Sequence, residues 1–520
     1  AGQGGTTSAP YSSGVNNTAI GYQALAGFTT AGGNTAMGYQ AGAAITTGGN
    51  NVFIGKLAGD LLTTGTNNVV VGAGALGTAD GGERENIAIG QSAAGNINND
   101  SAIRNVFIGE YAGFGGTGAL NYSVAIGYRA LDSTGTSGGA SGTVAIGYYA
   151  GADITSGAAN TVIGYESGKA LTTGGSNISL GYQAHLALVS GDNNVAIGVN
   201  AADAMAVGES ENIAIGTSAL GGMDEGTAGG DIDGNIAIGH AALVGGDLAG
   251  NDRQVQDNIA IGRNSLNSTS DNAQTGTIAI GKDALTALTS GAGNTAIGYL
   301  AMATSTVNHS NVAIGYAAMR YSNGSESQNV AIGYEAGTSM DNNDSSKSIL
   351  IGYRAGKGGT GEIDRCVVIG DGAMDGTGAV GAQQNIFIGN DAGGGTWTTA
   401  ASNSNVAIGA TAMSAALNGA LGNTAIGHDG LKAVTTGDYN TTLGRGAGTS
   451  ITTTSYTVAI GNYSLSAITS TGDYTISIGH GAMGGAEIGD GNIAIGYQSM
   501  ANANAAGFHR NIAIGYQTMA

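Results

Sequence analysis

Side chains able to do chemistry are few in this sequence, and their spacing keeps them apart. A phosphate-binding loop needs a lysine followed by serine or threonine after its glycine run, yet Lys56, Lys169, Lys282 and Lys357 are each followed by another residue type. The six histidines, among them His240, His428 and His480, are too far apart to make one zinc site. Gly230-Asp231-Ile232-Asp233-Gly234 has the look of half a calcium loop, but the distal bidentate glutamate is missing. The one cysteine, Cys366, excludes a disulfide framework and has no assignable catalytic partner. Trp397, in Gly395-Thr396-Trp397-Thr398, reads either as a ligand anchor or as packing over a neighbouring loop, the commoner arrangement. No catalytic residue, cofactor-binding residue or metal-ligand set is legible, so the expectation is a protein that is not an enzyme and carries no cofactor.

What the chain does contain is repetition. The unit Asn492-Ile493-Ala494-Ile495-Gly496 occurs in some version 28 times between Asn17 and Gly515, with closing glycines 17 to 23 residues apart. Eleven of the 27 intervals are 17 and none is shorter, which indicates a fixed structural turn that accepts loop insertions. An all-β solenoid of about 28 coils follows, one coil per repeat. With about 4.8 Å between stacked strands, it predicts a rod roughly 130 Å long. The domain reading is residues 1–16 as an N-terminal cap or contact segment and 17–520 as one continuous repeat domain.

Each position of the unit has its own chemistry. Three residues before the glycine stands Thr, Val or Ile in all 28 copies (Thr18, Val106, Ile259), and one residue before it an aliphatic side chain (Ile20, Met37, Leu180). These β-branched and aliphatic residues suit a strand, and being two apart they share a face, read here as the interior. The residue between them is Ala in 18 copies and is expected on the opposite face, where something approaches closely. The residue after the glycine is Tyr in twelve copies but also Lys56, Glu110, Arg263 and Asp371, which marks it as exposed. Two residues further on the side chain is always small, usually followed by Leu, Met or Gly, and this segment is expected to form a second, shorter strand. Asn four residues before the glycine, in 21 copies, predicts a ladder of amide hydrogen bonds at one corner; Cys366 occupies a rung of it.

Composition bounds the function. The formal charge of −20, with acidic residues such as Asp224, Glu225, Asp231 and Asp233 in the longest insertions, predicts a solvated surface that resists lateral aggregation. Only 16 Lys and Arg are scattered along the chain, which excludes nucleic acid as a partner, and no apolar run reaches membrane-spanning length. Each coil offers only about four modest apolar groups, so association through the alanine face is expected to complete a thin core. The last copy, Asn511 to Ala520, stops partway through a coil, which leaves open both further sequence and an end-to-end filament in which Ala1 to Asn16 of the next molecule completes the coil.

The units Asn329-Val330-Ala331-Ile332-Gly333 and Asn194-Val195-Ala196-Ile197-Gly198 resemble the repeat of YadA-like head domains in trimeric autotransporter adhesins, over nearly the whole chain. The form from Asn17 to Leu25 is also similar to repeats in phage tail fibres. The resemblance implies a left-handed parallel β-roll, a homotrimer, and display outside the cell for attachment to a surface receptor or glycan. It departs from the adhesins in its longer 17-residue minimal coil and in lacking the coiled-coil stalk and membrane barrel. An adhesin head or fibre at the cell surface is therefore expected. A tail fibre or spike of a virion that binds a receptor, and a self-assembling structural filament, are the alternatives.

Overall fold

The computed structural model describes residues 14–519, apart from 119, 136–138, 224–230, 247–253, 270–272, 341–344, 468–471, 486–488 and 503–507. Asp224 and Glu225 of the acidic insertions lie outside the described residues, as does most of the proposed cap. Among the described residues there is no helix. The chain forms two compact units, residues 1–263 with 270–272 and residues 264–269 with 273–520. The first carries fourteen three-residue strands, from Thr18–Ile20 to Ile259–Ile261; the second carries fourteen, from Ile278–Ile280 to Ile512–Ile514.

Within each unit every three-residue strand coincides with the three residues before a closing glycine and pairs in parallel with the same residues of the next coil, while two-residue strands such as Ile363–Asp364 and Ala382–Gln383 pair separately. Thr18 faces Thr35, Ala36 faces Phe53, and Val458 faces Ile476. Hydrogen bonding from coil to coil continues through the turns: Gly42 N–H donates to Ala58 O at 2.9 Å and Gln40 N–H to Tyr22 O at 2.8 Å. Each unit is thus a parallel β-solenoid in which almost every segment is templated by the coil beside it.

The closing glycine answers two demands. All 28 have φ between 125° and 146°, a region that side chains rarely enter. A Cβ on Gly216 would also sit 2.6 Å from Gly239 O in the following coil.

Two expectations are corrected. The central residue of the strand faces the interior and its two neighbours face outward, the reverse of the sequence reading. In every three-residue strand but the first, the middle side chain is buried, as in Ala36, Phe53, Val70 and Ala196. The flanking Ile54, Ile108, Ile178 and Ile197 are 36–37% exposed. A coil only three residues wide on this side admits one side chain per strand, and alanine is common there because the opposite wall is close. Hence the alanine face lies inside each coil and is not free to meet another chain.

The predicted second strand is also absent. The residues three and four places after the glycine lie in turns, and the fourth is left-handed, as at Leu25 (φ 50°), Leu131 (φ 55°) and Met302 (φ 49°). Both residues are buried and form the wall facing the strand.

Volume is exchanged across this small interior. Most coils with a central alanine carry a large residue on the opposite wall, as in Ala125 with Leu131, Ala279 with Leu285 and Ala296 with Met302. Coils whose central residue is Phe or Leu carry glycine there instead, as does the Val162 coil. A Cβ on Gly59 would meet Phe53 at 2.5 Å, one on Gly168 would meet Val162 at 2.7 Å, and one on Gly356 would meet Leu350 at 2.6 Å. Trp397 extends this core. It is fully buried, with its ring edge-on to Phe387 at 6.0 Å, so it packs inside rather than anchoring a ligand.

The asparagine ladder is present. Asn51 N–H and Nδ2 donate to Asn34 Oδ1 at 2.9 and 3.0 Å, and Asn51 Nδ2 also donates to Gly65 O at 2.8 Å. Asn68 repeats the pattern on Asn51. These amides are fully buried, so each rung satisfies polar groups that would otherwise be costly to hold away from water.

Candidate interaction surface

The residues singled out for chemistry are kept apart by the coils or already engaged. His240, His428 and His480 all occupy the position after a closing glycine, in different coils. Asp231 Oδ2 accepts from Gln256 Nε2 at 3.1 Å and Asp233 Oδ1 from Ser210 N–H at 2.6 Å, so both carboxylates bind protein groups of neighbouring coils. Among the described residues no group of three or more His, Cys, Asp or Glu is placed to hold a metal ion. Cys366 takes its rung in the ladder: its N–H donates to Ser348 Oγ at 3.1 Å and its Sγ–H to Ala382 O at 3.3 Å. Burial pushes this thiol up to about 11, which leaves it protonated and unreactive at neutral pH.

One pair resembles part of a catalytic relay and went unnoticed in the sequence. Ser179 Oγ lies 2.7 Å from His185 Nδ1. Both are fully buried, on the strand centre and the facing wall of adjoining segments, where alanine and leucine are usual. Burial pushes the imidazole down to about 3, so it is neutral at physiological pH. No substrate reaches either atom, and the pair is a polar core contact.

What remains outside is a surface of unusual regularity. On each unit the residues flanking the strand centre form two parallel columns of Val, Ile and Thr, with Met37, Leu180 and Leu443 the exceptions, half-buried or exposed along their length. The strands are in register, so these columns make one apolar strip with no charged side chain in it.

Beside it runs the position after the glycine. Its tyrosines stack from coil to coil in unbroken runs. Tyr128, Tyr148, Tyr165 and Tyr182 are separated by ring-to-ring steps of 5.4, 5.0 and 5.3 Å, and Tyr299, Tyr316, Tyr334 and Tyr353 by 5.4, 4.9 and 5.2 Å. Neighbouring planes in these runs differ by 6–24°. Because the faces cover one another, the edges and hydroxyls point outward. The expected exposure of this position holds, with Tyr165 at 44% and Tyr353 at 51%. The stacking was legible only as a run of tyrosines at one repeat position. Arg129, over the rings of Tyr111, Tyr128 and Tyr149 at 5.3–5.8 Å, clamps the lower end of the first run.

The second unit also has a shallow polar cleft of about 340 Å³ lined by Thr360, Glu362, Gln383 and Asn403 among small residues. Its polar groups bond each other, Gln383 Nε2 donating to Glu362 Oε2 at 2.7 Å and Gln383 N–H to Asn403 Oδ1 at 2.9 Å.

Compared with known proteins, the chain matches no protein-family model and no curated sequence. No helix among the described residues is long and apolar enough to cross a membrane.

Proposed function

We propose that this chain is a non-enzymatic fibrous protein of the cell exterior, an adhesin head or fibre for surface attachment, built as a left-handed β-roll that assembles into a homotrimer. The observation that carries the reading is the strip of Val, Ile and Thr, free of charge in every coil. A chain that keeps charges off one face of every coil, while spending a formal −20 elsewhere, has reserved that face for a partner. Another copy of the chain is the natural partner, because only an identical ladder repeats with the same rise.

The energetics are adequate. Burying a whole isoleucine is worth ~1.5–3 kcal/mol, so covering the exposed third of each is worth about 0.5–1 kcal/mol. Over the fourteen coils of one unit the outer aliphatic column alone supplies on the order of 10 kcal/mol, against an association cost of roughly 4–15 kcal/mol. The second column and the second unit add to the favourable side. A repetitive solenoid with its ionisable groups dispersed suits display and attachment better than catalysis, which needs convergent polar groups in a deep pocket.

Sedimentation equilibrium on the full chain tests the assembly. Three chain masses at micromolar concentration are expected, falling to one when Ile108, Ile197 and Ile408 are replaced by aspartate. A wild-type chain that stays monomeric would overturn the reading.

A further inference from the structure

The tyrosine runs are not required by the coil. The same position holds Lys56, Ala73, Gln91 and Val199 in coils whose strands keep the same register, so neither folding nor pairing demands an aromatic ring there. Yet four consecutive coils carry tyrosine twice, once in each unit, and all the rings but the half-buried Tyr128 are 40–51% exposed. Next to the first run stand Glu166 and Gln183, whose side chains bond each other at 2.9 Å across one coil step. The result is a strip of phenol edges and hydroxyls flanked by a planar amide and a carboxylate, repeating at 5.0–5.4 Å. Ring edges offer apolar contact, and the hydroxyls both donate and accept hydrogen bonds.

We propose that each four-tyrosine run is a binding strip for a neutral, extended, β-1,4-linked glycan lying parallel to the stack, with about one sugar per coil. The period selects the ligand class. A ribbon-like glycan of this kind advances by close to one coil spacing per pyranose and carries hydroxyls along its edge. An extended peptide repeats its side chains every two residues, roughly 6.6 Å at a strand's rise, and loses register within four coils. A nucleic acid strand advances about 3.4 Å per phosphate, and the chain's formal charge of −20 repels it. The same charge disfavours an anionic polysaccharide. This inference rests on the reading of the chain as an attachment fibre and names what it attaches to.

The test is calorimetric titration of the full chain with cello-oligosaccharides of two to six sugars, with hexagalacturonate as the anionic comparison. Affinity should rise with length up to four sugars and then level, with two sites per chain and no heat from hexagalacturonate. Tyr148→Phe with Tyr165→Phe keeps the stack and removes two hydroxyls; it should weaken the first site at least tenfold and leave one full-strength site. Adding Tyr316→Phe and Tyr334→Phe should weaken both sites. Absence of binding by cellohexaose, binding that ignores length, or unchanged affinity in the fourfold variant would overturn the proposal. Native mass measured on the same samples separates the two readings. A trimer that binds no glycan sinks this inference alone, and a monomer sinks the assembly whatever the titration shows.

Discussion

The exchange of volume across the interior gives a quantitative prediction at Phe107 and Gly113. Phe107 is the buried centre of its strand, and a Cβ on Gly113 would collide with its ring. In the next coil the same two places hold Ala125 and Leu131, both fully buried. Phe107→Ala removes most of a buried ring and should cost about 3–5 kcal/mol. Gly113→Leu overfills the site, costing about 1–3 kcal/mol, and adds roughly 1–2 kcal/mol for placing leucine in a left-handed conformation. That conformation is one Leu131 already adopts, at φ 55° against 55° for Gly113. The sum of the single effects is about 5–10 kcal/mol. The double variant recreates the Ala125/Leu131 arrangement, so it should lose no more than about 3 kcal/mol, most of it the left-handed cost and a small residual void. Urea unfolding followed by far-ultraviolet circular dichroism measures this as midpoint shifts at constant slope. A double variant as unstable as the two singles added would show that the walls do not share one space, and the packing account would fail.

Four further outcomes follow from the same geometry. Ala196→Asp places a charge inside the coil and should unfold the neighbouring coils, whereas Ile197→Asp, one residue away, should leave the dichroism spectrum unchanged and reduce only the native mass; equal loss of structure in both would refute the face assignment. Gly216→Ala faces both a φ of 131° and Gly239 O at 2.6 Å from the new Cβ, and a loss of at least about 2 kcal/mol in urea unfolding is expected. Asn51→Ala strips the ladder of the acceptor for Asn68 N–H and Nδ2, and should cost roughly 1–3 kcal/mol, with Asn51→Ser recovering part of it. His185 is held neutral, its folded pKa of about 3 lying below the ordinary 6.5, so the unfolded chain binds the proton first as pH falls. Stability is therefore unaffected above pH 6.5 and declines below it, by on the order of 3 kcal/mol at pH 4; Ser179→Ala with His185→Leu should abolish that part of the acid sensitivity.

Position and pairing were legible in the sequence because each coil copies its neighbour. The closing glycine fixed the strand to the three residues before it, and the exposure of Tyr165 and the amide ladder through Asn34, Asn51 and Asn68 followed from repeat position alone. Which face of the strand turns inward was not legible by the rule applied. Alternation correctly places Val195 and Ile197 on one side and Ala196 on the other, but it carries no sign, and the sign was taken from bulk. In a wide sandwich the bulkier pair would face the core. In a coil this narrow the wall opposite stands too close, and one small side chain fills the gap while the larger pair is left outside. The information that settles the sign was nonetheless in the sequence. Where the central residue grows to Phe53, Phe107 or Leu350, the residue four places after the glycine shrinks to Gly59, Gly113 or Gly356, and such compensation occurs only between groups that compete for one enclosed volume.

The same inversion explains why the outer surface merits functional weight. An interior built from alanine and leucine gives each coil a complete, if thin, core of its own, so the valine and isoleucine columns are not needed to hold a coil shut. Were they merely tolerated on a solvent-facing sheet, the columns should admit lysine or glutamate as freely as the position after the glycine does, where Lys56, Glu110, Arg263 and Asp371 all occur. Not one of the 56 flanking positions carries a charge. Two adjacent columns on the same coils, one indifferent to charge and the other closed to it, differ in what they face. Water accounts for the first, and the apolar partner proposed above would account for the second.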